Sequence, residues 1–222
     1  MCCLLAWLSA RQKGGRVILR IEDLDIARCP RRYGEQMCRD IRWLGLDWDE
    51  GPVIGGPSGP YEQSRRMALY QAALRRLEAQ GLVYPCFCTR AELHAASAPH
   101  RGDGQVVYPG TCRGLTAERA AERARRTGRA PALLLWVPEE APAFYHFPLL
   151  LGSDGQRLSK RNADAGLDTL GERYTAPEIL GKLAYLAGFN PSAEPRSGES
   201  LLEDFAWERV PRADIRIPEG LF

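Results

Sequence analysis

The chain has 222 residues, 45% hydrophobic and 26% charged, which suits one sizeable globular domain with an appendage or two small domains. Its 30 basic residues are nearly matched by 28 acidic ones, so overall charge singles out no partner and any polyanion contact must come from local asymmetry. Seven cysteines, three of them clustered, argue against a secreted disulfide framework and for a reducing compartment, with the cytosol expected.

Residues 1–8 are apolar but have no basic leader, no length for a membrane span and no small-residue cleavage signal. They read as a helix with Leu4, Leu5 and Leu8 on one face and Gly14-Gly15 as its stop, and no Ser, Thr, Asp or Asn caps its first turn. Residues 16–21 form a nearly continuous apolar run, expected to be a strand covered on both faces in a parallel sheet. At its carboxyl end stand Glu22, Asp23 and Asp25, where open α/β sheets bind ligands. These carboxylates can meet an amine, a metal or a ribose; the alternative is a solvated acidic turn or an Asp cap. Tyr33, Met37, Ile41 and Leu44 recur at helical spacing before Gly45, and this face is expected in the core. After a Gly- and Pro-rich loop over 49–60, Ser64 is expected to cap a helix carrying Leu69, Ala73, Leu74 and Leu77. The alternation, followed by the strand-like 82–84, suggests a layered α/β domain.

Residues 83–112 carry the strongest signal. Cys86 and Cys88 are separated by one residue on a segment rich in β-branched and aromatic neighbours, so an extended backbone projects both sulfurs to one side. Tyr108-Pro-Gly-Thr-Cys112 returns a phenol and a third thiol through a Pro-Gly turn. Three thiolates and one oxygen close a tetrahedral structural metal site with no position open for chemistry. The alternative is ordinary core cysteines beside a buried tyrosine. Residues 113–129 read as a helix with six Arg against Glu118 and Glu122, either a phosphate contact or a solvated face. Residues 132–137 and 148–151 look like strands, the first of them buried, and the ten residues between them, 138–147, are too few for a helical crossover.

The turn Ser153-Asp154-Gly155 then presents Arg157, Ser159, Lys160 and Arg161, cations and a hydroxyl that suit a polyphosphate. A basic surface turn is the alternative. Thr175 and Glu178 form a capping box, Pro177 sits in the first turn, and Ile179, Leu180, Leu183 and Ala187 share one face before Gly188.

Together, Arg20-Ile-Glu-Asp-Leu-Asp25, Cys86-x-Cys88 with Tyr108-x-x-x-Cys112, and Arg157-Leu-Ser-Lys160 resemble in order and spacing the glutamyl-Q tRNA(Asp) synthetases, paralogues of the glutamyl-tRNA synthetase catalytic domain. The resemblance covers nearly the whole chain, including Gly81-Leu-Val-Tyr-Pro-Cys86 and the tail around Trp207 and Pro211. It implies an α/β class I synthetase fold. An incomplete Rossmann-like parallel sheet would occupy 1–82 and 130–161, a zinc-binding insertion with the basic helix 83–129, and a short helical C-terminal region 162–222. It also implies an aminoacyl-tRNA synthetase-like ligase that joins L-glutamate to ATP and passes the glutamyl group to the queuosine of tRNA(Asp). Glu22 would hold the glutamate amino group, Lys160 the phosphates, and Ser159 and Arg157 would shape the loop. Cys86, Cys88, Tyr108 and Cys112 would bind structural Zn2+, and ATP would act with Mg2+. A cytoplasmic monomer with no membrane partner is expected.

The chain departs from that family in two places. Family members open with a strand and a His-x-Gly-His-like motif that binds ATP phosphates, and none precedes Met1. They also carry, between the strands at 132–137 and 148–151, a long segment whose Tyr and Arg hold the substrate. The expectation is therefore a member cut at its start and deleted internally, with impaired activity, ending without an anticodon-binding domain. The alternatives are a catalytic-domain fragment of a glutamate-tRNA ligase and a non-catalytic zinc- and RNA-binding remnant.

Overall fold

A computed structural model describes residues 1–95, 108–136, 147–156, 158 and 166–222. They divide into two units, Met1–Met67 with Phe144–Phe222, and Ala68–Ala143.

In the first unit, α1 (Cys2–Arg11) buries the predicted Leu4, Leu5 and Leu8 and also Trp7. No side chain caps its first turn. It packs with α2 (Arg31–Trp43), which contributes Cys38 and Ile41, and with α7 (Ala176–Leu186), which contributes Ile179, Leu180 and Ala184. Phe189, Phe205 and Trp207 add edge-to-face ring pairs with centroids 5.5 and 5.4 Å apart. Trp7 donates to Asp47 at 2.7 Å, and Arg11 bridges Asp47 and Asp49. The short α6 (Leu167–Gly171) precedes α7.

The capping box is formed: the Thr175 backbone N–H and hydroxyl both donate to Glu178, at 2.7 Å each. Within α7, Gly181 lies so close to the Glu194 carbonyl that a β-carbon would overlap it. Gly→Ala in a helix interior ordinarily stabilises by about 0.5–1 kcal/mol. At Gly181 the sign is expected to reverse, with a loss of about 1–3 kcal/mol from overpacking and a lower melting temperature. A raised melting temperature would show that the 194–195 backbone yields.

The segment 16–21 differs from its expectation. Val17, Leu19 and Ile21 are half-buried, whereas Ile18 is 52% exposed, so only one face is covered. The Leu19 N–H donates to the Glu50 carbonyl at 2.8 Å, and the Ile21 N–H to the Tyr61 carbonyl at 2.8 Å. Between those two partners the loop 51–60 leaves the sheet, which reduces the ladder to single parallel bridges at Ile18–Glu50 and Ile21–Glu62. The loop is held by the buried Glu50, which accepts from Tyr61 Oη at 2.9 Å and the Ser58 N–H at 3.1 Å and pairs with Arg16 at 2.8 Å. Gly56, at φ 135°, leaves no room there for a side chain beside Glu50 and Tyr61. The first unit's described ladder is β3 (Leu150–Leu151) parallel to β4 (Ile215–Arg216), so the sheets are small.

Ser64 does not cap the next helix. It sits in a 3-10 turn, Gln63–Arg65, where Asp23 takes both its N–H and its hydroxyl, and α3 (Met67–Ala79) begins beyond that turn. None of the residues of α3 is fully buried, and Leu69 is exposed.

In the second unit, β1 (Val83–Cys86) runs antiparallel to β2 (Ala132–Leu135), with Cys86 opposite Ala132. The sequence predicts a buried β2, yet Leu133 and Leu135 are half-exposed, because a two-stranded sheet cannot cover both faces of a Leu-Leu-Leu run. α4 (Arg90–Ala95) starts after Thr89, which exchanges bonds with Glu92. The basic helix is α5 (Ala117–Thr127), shorter than the 113–129 expected, because the Thr116 hydroxyl caps it by accepting from the Arg119 N–H and Gly128 ends it.

Candidate metal centre and acidic turn

β1 leads Cys86 into the interior and continues through buried Phe87 to half-buried Cys88. Opposite them, the turn beginning at Tyr108 closes with the Arg113 N–H donating to the Gly110 carbonyl at 2.9 Å and delivers Cys112, which is fully buried. The sulfurs of Cys86, Cys88 and Cys112 all lie within 4.8 Å of one another. Cys88 Sγ is 3.6 Å from Cys112 Sγ, and Cys86 Sγ is 3.4 Å from Tyr108 Oη. A tetrahedral ion with metal–sulfur bonds of about 2.3 Å and a metal–oxygen bond of about 2.1 Å requires edges of roughly 3.8 and 3.6 Å. The three sulfurs are thus close enough together that their cluster could hold a metal ion, with Tyr108 Oη beside Cys86 as an oxygen donor.

The electrostatics of the four groups differ. Burial, with the hydrogen bonds that the Cys88 thiol makes to Cys112 and Cys86, pushes that thiol up to about 12. Burial and the contact with Cys86 push the Tyr108 phenol up as well. Burial opposes ionisation of Cys112 too, but the Phe87 N–H and the hydrogen bonds of Cys88, Tyr108 and Cys86 outweigh it and hold this thiol below its ordinary value. Ionisation is thus favoured at Cys112 over Cys88, and a cation held by these thiolates would displace their protons. The Cys112 N–H donates to Tyr108 Oη at 3.0 Å, which orients the phenol oxygen toward the sulfurs.

Sequence reasoning missed Arg123 as a neighbour of the cysteines. On α5, Ala120, Arg123, Ala124 and Thr127 make the half-buried face, and Arg123 Nη1 lies 3.2 Å from Cys112 Sγ. The available signal was an arginine inside an otherwise small-residue stripe at helical spacing. Arg113 lies 4.1 Å over the Trp136 ring. Arg119, Arg125, Arg126 and Arg129 remain exposed.

In the first unit, the three carboxylates after residue 21 separate. Glu22 is exposed and pairs with Arg20 at 3.2 Å. Asp23 accepts from Ser64 Oγ at 2.6 Å and the Ser64 N–H at 2.8 Å, and the hydroxyl bond is the main reason its carboxyl sits below the usual range. Asp25 accepts from the Arg28 N–H at 3.2 Å within a turn and does not cap the helix that follows, whose N-cap is Pro30. Asp23, Tyr33, Glu62 and Ser64 border a cleft of about 610 Å³ whose walls also include Ile21 and Val53. The turn Ser153-Asp154-Gly155 is formed, with Asp154 Oδ1 accepting from the Gln156 N–H at 2.8 Å. Arg157, Ser159, Lys160 and Arg161 lie outside the described residues.

With this geometry established, comparison with known proteins gives the class. Residues 2–140 match the model of the class I tRNA synthetases (E and Q), catalytic domain, and the chain belongs to that family. It is 40% identical to the glutamyl-Q tRNA(Asp) synthetase of Symbiobacterium thermophilum over 291 residues, covering 97% of this chain and 90% of that protein. It is 37% identical to the protein of the same name from Nitratidesulfovibrio vulgaris, covering 98% and 90%. The glutamate–tRNA ligase 1 of Halorhodospira halophila is 51% identical, but over 132 residues that make up 59% of this chain and 28% of that one. Among solved structures, a glutamate-tRNA synthetase from Elizabethkingia anophelis shares the fold with a TM-score of 0.67 at 20% identity; the match covers 99% of this chain and 64% of that one. Alignments of 291 and 293 residues onto a chain of 222 require that both glutamyl-Q relatives contain stretches with no counterpart here. These relatives are named synthetases, and this chain is by family an aminoacyl-tRNA synthetase-like ligase. No described helix is long and apolar enough to cross a membrane.

Proposed function

We propose that this chain carries the active-site framework for ATP-dependent activation of L-glutamate and its transfer to the queuosine of tRNA(Asp), with activity impaired by an internal gap between β2 and β3. The observation that carries this reading is coverage: the match spans 90% of each glutamyl-Q relative, against 28% of the Halorhodospira ligase and 59% of the glutamate–tRNA ligase 2 of Acidithiobacillus ferrooxidans. Residues 1–82 and 130–161 form the nucleotide-binding part, 83–129 the zinc insertion with its basic helix, and 162–222 the helical end. The protein works in the cytoplasm as a monomer.

The roles divide by chemistry. Glu22, exposed at the end of the 16–21 segment, accepts the glutamate ammonium in exchange for Arg20. Lys160 neutralises charge on the phosphates of Mg2+-bound ATP as pyrophosphate leaves, with Ser159 and Arg157 shaping the loop. No side chain forms a covalent intermediate, so the residues contribute positioning and charge. Cys86, Cys88, Tyr108 and Cys112 hold one Zn2+, which supplies folding free energy rather than chemistry because four protein donors leave no open position.

The test inserts the unmatched segment of the Symbiobacterium relative at Ala141 and follows glutamate transfer to queuosine-containing tRNA(Asp), to the same tRNA lacking queuosine, and to tRNA(Glu). Transfer confined to the first supports the proposal. Charging of tRNA(Glu) instead establishes the glutamate-tRNA ligase reading. Binding of tRNA with no transfer and no pyrophosphate exchange establishes the remnant.

The exposed face of α5 gives a separate expectation. If Arg125 and Arg126 face tRNA phosphates, replacing both by Ala lowers the slope of log affinity against log salt by about 1 for each phosphate that is no longer neutralised. An unchanged slope returns α5 to the solvated reading.

A further inference from the structure

We propose that Arg123 is the charge-balancing and positioning residue of the metal centre, bound through its guanidinium to the Cys112 thiolate, and is not part of the RNA-facing surface of α5. This deepens the zinc reading above and rests on it. Arg123 Nη1 lies 3.2 Å from Cys112 Sγ, on the inward side of the helix, while Cys112 is fully buried. Among the described residues no carboxylate is in ion-pair contact with this guanidinium.

Three thiolates around a dication leave a net charge of −1, and a phenolate donor would make it −2. Excess negative charge at a buried sulfur is costly unless a cation or a hydrogen-bond donor answers it. Arg123 supplies both in one group, and its N–H fixes the orientation of the sulfur as a metal ligand's outer partner does. The contact also fastens α5 to the ligand turn eleven residues before it, so the exposed arginines of the helix are presented from a surface set by the metal.

Loss of such a partner typically weakens metal binding about 10–100-fold. Arg123→Met keeps the aliphatic stem and removes the donor. Zinc affinity, measured on the full chain by competition with a chromophoric chelator, is expected to fall about 10–100-fold. In protein loaded with Co2+ alone, the sulfur-to-cobalt charge-transfer band is expected to move to lower energy, because a thiolate without its N–H partner is a stronger donor. Arg123→Lys should recover part of both effects, which a merely structural role would not predict. Affinity within twofold of wild type together with an unmoved band would overturn the proposal. Wild-type chain that binds neither ion would overturn the metal reading itself and this inference with it. Should Arg123→Met fail to fold, Arg123→Ala, which removes the donor and favours the helix, is measured instead, and affinity within twofold of wild type with an unmoved band there also overturns the proposal.

Discussion

The 222-residue chain is expected to show negligible glutamate-dependent ATP–pyrophosphate exchange, and to recover it when the segment present in its relatives is restored. Both glutamyl-Q relatives align over about 290 residues, so this chain lacks stretches that they possess, and the family match stops at residue 140, between β2 and β3. The family resemblance places in that interval a Tyr and an Arg that hold the substrate. Removing one preorganised electrostatic interaction from such a site costs about 3–4 kcal/mol of transition-state stabilisation, so losing two slows adenylate formation by roughly four powers of ten or more. In the roles proposed for them, Glu22 and Lys160 address other parts of the reactants and would leave that loss standing. Robust exchange by the short chain, abolished by Lys160→Ala, would refute the prediction and mean that other residues have taken over the missing roles.

How far the sequence alone could be read depended on whether a feature was local. The capping box at Thr175 and Glu178, the Leu4, Leu5 and Leu8 face and the Ala132–Leu135 strand are set by neighbours within a turn or a strand, and each formed. The cysteine spacing brought three sulfurs together because an extended pair and a tight turn leave few ways to arrange them. What failed was what depended on distant partners. The 16–21 run reads as a two-sided buried strand, but whether Ile18 is covered depends on what packs against that face, and the described residues leave it exposed. Ser64 is a good cap by type, yet Asp23, 41 residues earlier in the chain, claims it. Arg123 looked like one of six similar arginines, and its place in a stripe of small residues gains meaning only once the fold sets it beside Cys112.

Removing the metal is expected to unfold the second unit while leaving the first intact. The first unit has a continuous core from Leu4 through Ile41 and Ile179 to Val210. Among the described residues of the second unit, the buried hydrophobic side chains are Cys86, Phe87 and Cys112. Neither α3 nor α5 buries a residue fully, and β2 leaves Leu133 and Leu135 half-exposed. Two of the three core side chains are thus proposed metal ligands, and the third lies between two such ligands in the sequence. So small an apolar core cannot offset the conformational entropy of ordering the unit, whereas structural zinc contributes on the order of 10 kcal/mol. Elemental analysis should find about one zinc per chain. Chelation, or Cys112→Ser, should lower amide-exchange protection in β1, β2 and α5 by several powers of ten. Amides of α1, α2 and α7 should keep their protection under the same conditions. Unchanged exchange in β1 and α5 after complete metal removal would show that the second unit is held by something other than the cysteine cluster.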